Sequence, residues 1–128
     1  MKTILFGLGL LLLAACSRTI PPEIREALDK EFEAKALDSG WRFIKVTHGF
    51  GGKELVADIL VSAPIEGAGE AVQRETLRRR VCPGSGRTDL WQHLRGYKLS
   101  VVAYTQDRKF TVLADCVNPL AGANPAEN

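Results

Sequence analysis

The sequence predicts an α+β fold: an antiparallel sheet of two hairpins with helices packed on one face, in the order α-β-β-α-α-β-β. Three patterns predict it. Apolar residues recur every fourth position at Ile20, Ile24, Leu28 and Phe32, the spacing of one helix face. Two pairs of stretches alternate apolar and polar residues, as half-buried strands do. Glycine- and proline-rich breaks separate these stretches from a second helical region.

The elements follow in order. Pro21-Pro22-Glu23 suits a helix start, because proline is tolerated in the first turn and an acid is favoured there. That helix is expected over residues 22–38, ended by Ser39-Gly40. Residues 41–48 are aromatic and β-branched and read as a strand. Gly49-Phe50-Gly51-Gly52 turns the chain, and residues 54–62 place Leu55, Ala57, Ile59 and Val61 on one face, with Asp58 and Ser62 on the other. A helix over 69–81 carries Val72, Leu77 and Val81 among Arg74, Glu75, Arg78, Arg79 and Arg80. Cys82-Pro83-Gly84-Ser85-Gly86 breaks it, and a short helix over 88–94 follows, with Thr88 as N-cap and Gly96 past its end. The second hairpin sets Leu99, Val101 and Ala103 in residues 97–105 beside Phe110, Val112 and Ala114 in residues 109–116, with Gln106-Asp107-Arg108 as the turn.

The chain has 128 residues, one domain's worth, and its 45% hydrophobic and 25% charged content excludes a wholly disordered chain and a polytopic membrane protein. Formal charge is +2, so no strong field favours nucleic acid. The first segment is different material. Lys2 precedes an uncharged run over 4–15, too short to cross a bilayer as a helix and the length of a signal-peptide core. It ends in Leu13-Ala14-Ala15-Cys16, which resembles the bacterial lipobox: a branched residue, two small residues, then cysteine.

This pattern implies cleavage between Ala15 and Cys16 and lipidation of Cys16, whose acyl chains hold the protein on a membrane. Ser17, where an aspartate would signal retention at the inner membrane, points to the periplasmic face of the outer membrane. The expected organisation is a lipoprotein signal peptide over 1–15, a lipidated tether over 16–22, one periplasmic α+β domain over 23–118 and a flexible tail over 119–128. Of the three cysteines, Cys82 and Cys116 then remain, an even pair in an oxidising compartment, and a disulfide between them is expected. Two free buried cysteines are the alternative.

Chemistry-bearing motifs are sparse. His48 and His93 are the only histidines. His48-Gly49-Phe50-Gly51-Gly52 loosely resembles an esterase oxyanion loop, but the chain has no GxSxG nucleophile elbow, and Gly51-Gly52-Lys53 lacks the Walker spacing. Neither a metal-ligand spacing nor a carboxylate pair is visible. The expectation is therefore no enzyme activity, no metal, no cofactor, no small-molecule substrate and no nucleic acid. Arg78-Arg79-Arg80 reads more simply as a solvated helix end, where cations oppose the helix dipole, than as a site for anionic lipid. Trp41, Phe43, Ile44, Val46, Phe50, Leu60, Val102, Tyr104 and Leu113 exceed what one buried sheet face requires. Either helices cover them or they form a groove for a partner.

The C-terminal half carries a family resemblance. A helix running into a cysteine (Leu77-Arg78-Arg79-Arg80-Val81-Cys82), a short helix ending in glycine (Leu94-Arg95-Gly96) and a hairpin closing on Cys116 resemble the AspS-type pilotin lipoproteins of type II secretion systems. The shared order, from lipobox to second cysteine, covers most of the expected mature chain. The resemblance implies a chaperone that binds the C-terminal segment of a secretin subunit as a helix in an apolar groove and directs its assembly in the outer membrane. Leu28, Phe32, Phe43, Val102 and Tyr104 are the residues expected to flank that groove. A periplasmic inhibitor or immunity lipoprotein, or a structural lipoprotein of another envelope secretion or conjugation machine, is the alternative.

Overall fold

The computed structural model of the protein describes residues 21–49 and 53–120. Its elements are α1 (Pro22–Asp38), β1 (Arg42–His48), β2 (Glu54–Leu60), α2 (Glu70–Val81), α3 (Thr88–His93), β3 (Lys98–Tyr104) and β4 (Thr111–Cys116). The order matches the α+β expectation. Thr88 is the first helical residue of α3 rather than its cap, and Arg87 occupies the cap position without a capping side chain. The expected lipidation and cleavage residues Ala15 and Cys16 lie outside the described residues, as does Phe50.

The sheet differs from expectation in one respect. Its strand order is β1-β2-β3-β4, and the two outer pairings are antiparallel hairpins as expected, but β2 and β3 run parallel. The expected all-antiparallel sheet is thus a mixed one. The physical reason is the connection. Parallel neighbours need a long crossover, and α2 and α3 supply it, returning the chain to the end of the sheet where β2 began. Leu55 then sits beside Leu99, Ala57 beside Val101 and Ile59 beside Ala103, so the two hairpins fuse into one apolar surface.

Alternation decides what that surface covers. Val46, Leu55, Ala57, Ile59, Leu99, Val101, Ala103, Val112 and Ala114 all lie on the inner face and are buried. They join one core with Ile24, Leu28, Phe32 and Ala36 of α1, Leu77 and Val81 of α2, and Leu90 and Trp91 of α3. All three helices therefore pack on the same side. Trp91 buries its ring and still satisfies its indole N–H, which donates to the Gly84 carbonyl at 2.9 Å. Glu31 of α1 is a buried carboxylate, and Arg87 pairs with it at 3.3 Å, tying α1 to the start of α3.

Ser39-Gly40 ends α1 by a specific geometry. Gly40 has φ +76, its N–H donates to the Leu37 carbonyl at 3.0 Å, and the Trp41 N–H reaches the Ala36 carbonyl at 2.8 Å. These two bonds form a Schellman motif, which needs the left-handed backbone that glycine adopts without a Cβ penalty. Nothing lies within 4 Å of where a Cβ would stand, so the cost of substitution is conformational alone. Gly40→Ala is expected to lower stability by about 1 kcal/mol, read from the urea midpoint at unchanged slope.

Cys82 and Cys116 form the disulfide that residue counting favoured. It joins the C-cap of α2 to the last residue of β4. Beyond it the chain stays anchored: the Asn118 side-chain amide donates to the Trp91 carbonyl at 2.9 Å, and the Leu120 N–H donates to the Asn118 side-chain oxygen. Leu120 also packs against the core. Asn118 and Leu120 are thus both tied to the rest of the fold.

Candidate functional site

The face of the sheet opposite the helices is built by the other half of the alternation. Strand register arranges it in rows: Arg42, Leu60, Tyr104 and Thr111; then Lys45, Asp58, Val102 and Leu113; then Thr47, Val56, Ser100 and Asp115. Among the described residues no helix lies over it. Val56, Leu60 and Val102 are half-buried, and Leu113 is 51% exposed. A one-residue bulge between Phe43 and Lys45 adds Ile44, which is 41% exposed, at the β1 margin. Antiparallel sheets with a solvated face ordinarily alternate to polar residues there. This one places Val56, Leu60, Val102 and Leu113 together instead.

Charged groups frame those apolar side chains. Lys45 stands opposite Asp58 across β1 and β2. The Arg108 guanidinium lies over the Tyr104 ring, 4.1 Å from its centroid, and so helps bury a tyrosine that would otherwise face water. Ser100 is buried beneath Asp115, to whose carboxylate its hydroxyl donates at 3.0 Å. Burial among the apolar side chains pushes the Asp58 carboxyl above the ordinary aspartate value, and the positive charges of Lys45 and Arg108 pull it partly back.

A carboxyl raised in the folded state favours folding fully only below its unfolded pKa, and that contribution is lost as pH rises through its folded value. At neutral pH the ionised Asp58 therefore works against stability. Asp58→Asn is expected to be as stable as the parent or more so at neutral pH, with the difference closing in acid where Asp58 is protonated. Urea unfolding across the acid range checks this; a variant less stable than the parent at neutral pH would contradict it. Asp107 behaves oppositely. The Thr105 hydroxyl and the Lys109 N–H donate to its carboxylate, holding it below the ordinary value, so its support of the β3–β4 turn is lost as pH falls through that lowered pKa.

The residues expected to flank a partner groove divide between the two faces. Val102 and Tyr104 lie on the open face, in adjacent rows. Leu28 and Phe32 are fully buried in the core, and Phe43 stacks on Phe32 with ring centroids 5.9 Å apart. The structure thus does not bring the five residues together: the period-four stripe of α1 faces the inner side of the sheet and fills the core. Leu60 and Leu113, noted above as surplus apolar residues, do belong to the face, while Val56 was missed. Arg108, read only as a turn residue, reaches the face by folding back from the hairpin.

The basic run of α2 does not form one patch. The Arg74 and Arg78 Nε–H groups donate to the Leu113 and Asp115 carbonyls, each at 3.0 Å, along the free edge of β4. Arg80 stacks on Trp41 at 5.4 Å, and Arg79 is exposed. The arginine side chains thus occupy backbone acceptors that would otherwise be open to another strand.

Other concave regions offer little chemistry. A shallow groove of about 710 Å³ is lined by Ser62, Pro64, Thr105, Asp107, Lys109 and Phe110, and its Thr105 hydroxyl is already bonded to Asp107. A cleft of about 260 Å³ lies between Trp41, Ile65, Thr76 and Arg80. His48 faces inward opposite Leu55, and neither ring nitrogen has a hydrogen-bond partner among the described residues. His93 Nδ1 lies 2.7 Å from the Asp89 carbonyl of its own helix. Among the described residues no group of three His, Cys, Asp or Glu side chains is placed to hold a metal ion, and no helix is long and apolar enough to cross a membrane. No protein-family model matches the chain, and no curated protein or solved structure matches it significantly.

Proposed function

We propose that this protein is a lipid-anchored binding adaptor of the pilotin kind. Its open sheet face receives an apolar segment of a partner protein, and Cys16, acylated after cleavage of the leader, holds the complex at the periplasmic face of the outer membrane. The partner implied by the family resemblance is the C-terminal segment of a secretin subunit, and the task is its delivery and assembly in a type II secretion system.

The observation that carries the proposal is the uncovered side of the sheet. Val56, Leu60, Val102 and Leu113 stand together on a surface that no helix among the described residues covers, although three helices cover the other side. A soluble domain gains nothing from leaving such a patch in water, whereas a binding protein needs one. Helix-in-groove recognition would bury it. The leader pattern supports the anchor independently of the face.

Two variants separate the parts. Leu113→Glu places a charge in the patch at a position already half in water, so its stability should change by no more than about 0.5 kcal/mol. Secretin assembly in the outer membrane should nevertheless fall sharply. Cys16→Ala should leave the fold and the binding intact but leave the secretin misplaced. Normal secretin assembly in both variants, measured in separated membrane fractions, would reject the proposal.

A further inference from the structure

We infer that Arg108 is a recognition residue of the open face, and that the segment it receives is an amphipathic helix with carboxylates along the margin of its apolar stripe. The inference deepens the docking role proposed above and rests on it.

Arg108 occupies a position that costs the chain something. Its φ is +63, the left-handed region, where glycine or asparagine is the ordinary occupant of a hairpin turn. The turn is otherwise well made: the Arg108 N–H donates to the Thr105 carbonyl at 2.9 Å, and the Phe110 N–H donates to the Thr105 hydroxyl at 3.2 Å. Neither bond uses the arginine side chain. The guanidinium instead crosses to the open face and lies on Tyr104, next to Leu60 in the same row. Among the described residues it has no carboxylate within ion-pair distance, in contrast to Arg74, Arg78 and Arg87, each of which has one.

The surrounding charges point the same way. Arg42, Lys45 and Arg108 all border Leu60, Val102 and Leu113, and Asp58 is the one carboxylate in those two rows. A partner that buries the apolar centre brings its own margin against three cations, offset by Asp58 within those rows and by Asp115 in the next. An acidic margin complements them, and a basic one repels them. A helix fits better than an added strand because the sheet edges are obstructed. The β4 carbonyls of Leu113 and Asp115 are taken by Arg74 and Arg78, and β1 carries both a bulge and Lys45.

The test uses the full chain in phosphatidylcholine nanodiscs, with empty nanodiscs as blank, and two labelled synthetic helical peptides. Both carry the same leucine stripe; one has glutamates along its margins and the other lysines. Titration by fluorescence anisotropy should show the glutamate peptide binding about three- to tenfold tighter, the gain of two or three partly exposed ion pairs. Arg108→Gln should remove about a third to a half of that gap on a logarithmic scale, the share of one pair, Arg108→Lys should keep most of it, and Leu113→Glu should weaken both peptides. Equal affinities, or a gap that Arg108→Gln leaves unchanged, would overturn the inference while sensitivity to Leu113→Glu still supports docking at the face. Absence of binding by either peptide, or binding insensitive to Leu113→Glu, would count against both.

Discussion

Replacing Cys82 and Cys116 together by serine is expected to lower stability by about 3–4 kcal/mol, the cost of freeing a loop of this length in the unfolded chain. The two cysteines are 34 positions apart, and their bond closes a three-point attachment between α2 and β4. Arg74 and Arg78, one turn apart on α2, and Cys82 at its C-cap meet Leu113, Asp115 and Cys116 of β4 in turn. Two of these links are hydrogen bonds to backbone carbonyls, each worth about 1–3 kcal/mol as a charge-assisted bond before exposure weakens it. The third is covalent. Reduction should therefore leave a folded but weakened protein whose α2–β4 pair opens first. Urea unfolding with and without a thiol reductant measures the loss, and amide exchange in β4 locates it. Midpoints that coincide under both conditions would show that the bond contributes nothing to the fold. Because β4 supplies Thr111, Leu113 and Asp115 to the open face, the same loosening should also reduce partner binding.

Phe32→Ala is expected to cost about 3–5 kcal/mol, the range for removing a fully buried aromatic side chain and leaving a cavity. Phe32 has no exposed surface and stacks on Phe43, so deleting its ring removes that aromatic contact between α1 and β1. Leu113→Ala, by comparison, should change stability little, since half of that side chain is already in water. The pair of variants distinguishes the core from the proposed docking face. A Phe32→Ala protein that kept its stability and lost its partner would place the binding surface on the helical side, contrary to the arrangement described above.

The local elements were legible because their signals are local. The spacing of Ile24, Leu28 and Phe32 marks one helix face whatever lies against it, and Leu55, Ala57 and Ile59 alternate because one side of the strand is buried. The disulfide followed from cysteine number once the expected leader was set aside. What was not legible is relational. Nothing near residues 54–60 or 98–104 states that those strands lie parallel and adjacent; that depends on where α2 and α3 return the chain. The same gap explains the groove. Phe32 and Val102 are both apolar residues of amphipathic elements, and only the packing shows that they sit on opposite sides of the sheet. Arg108 was invisible for a third reason: a turn residue's side chain is directed by its backbone dihedral, and its left-handed φ leaves no mark in the amino-acid pattern.

Placing a photo-crosslinking amino acid at Leu113, and separately at Val72 on the exposed side of α2, in living cells tests the docking face most directly. The expected result is a secretin adduct from the Leu113 position that disappears when Val102→Glu is added, with no such adduct from Val72. A secretin adduct formed at Val72 alone, or from neither position while secretion proceeds normally, would contradict the claim that the open face of this sheet holds the partner.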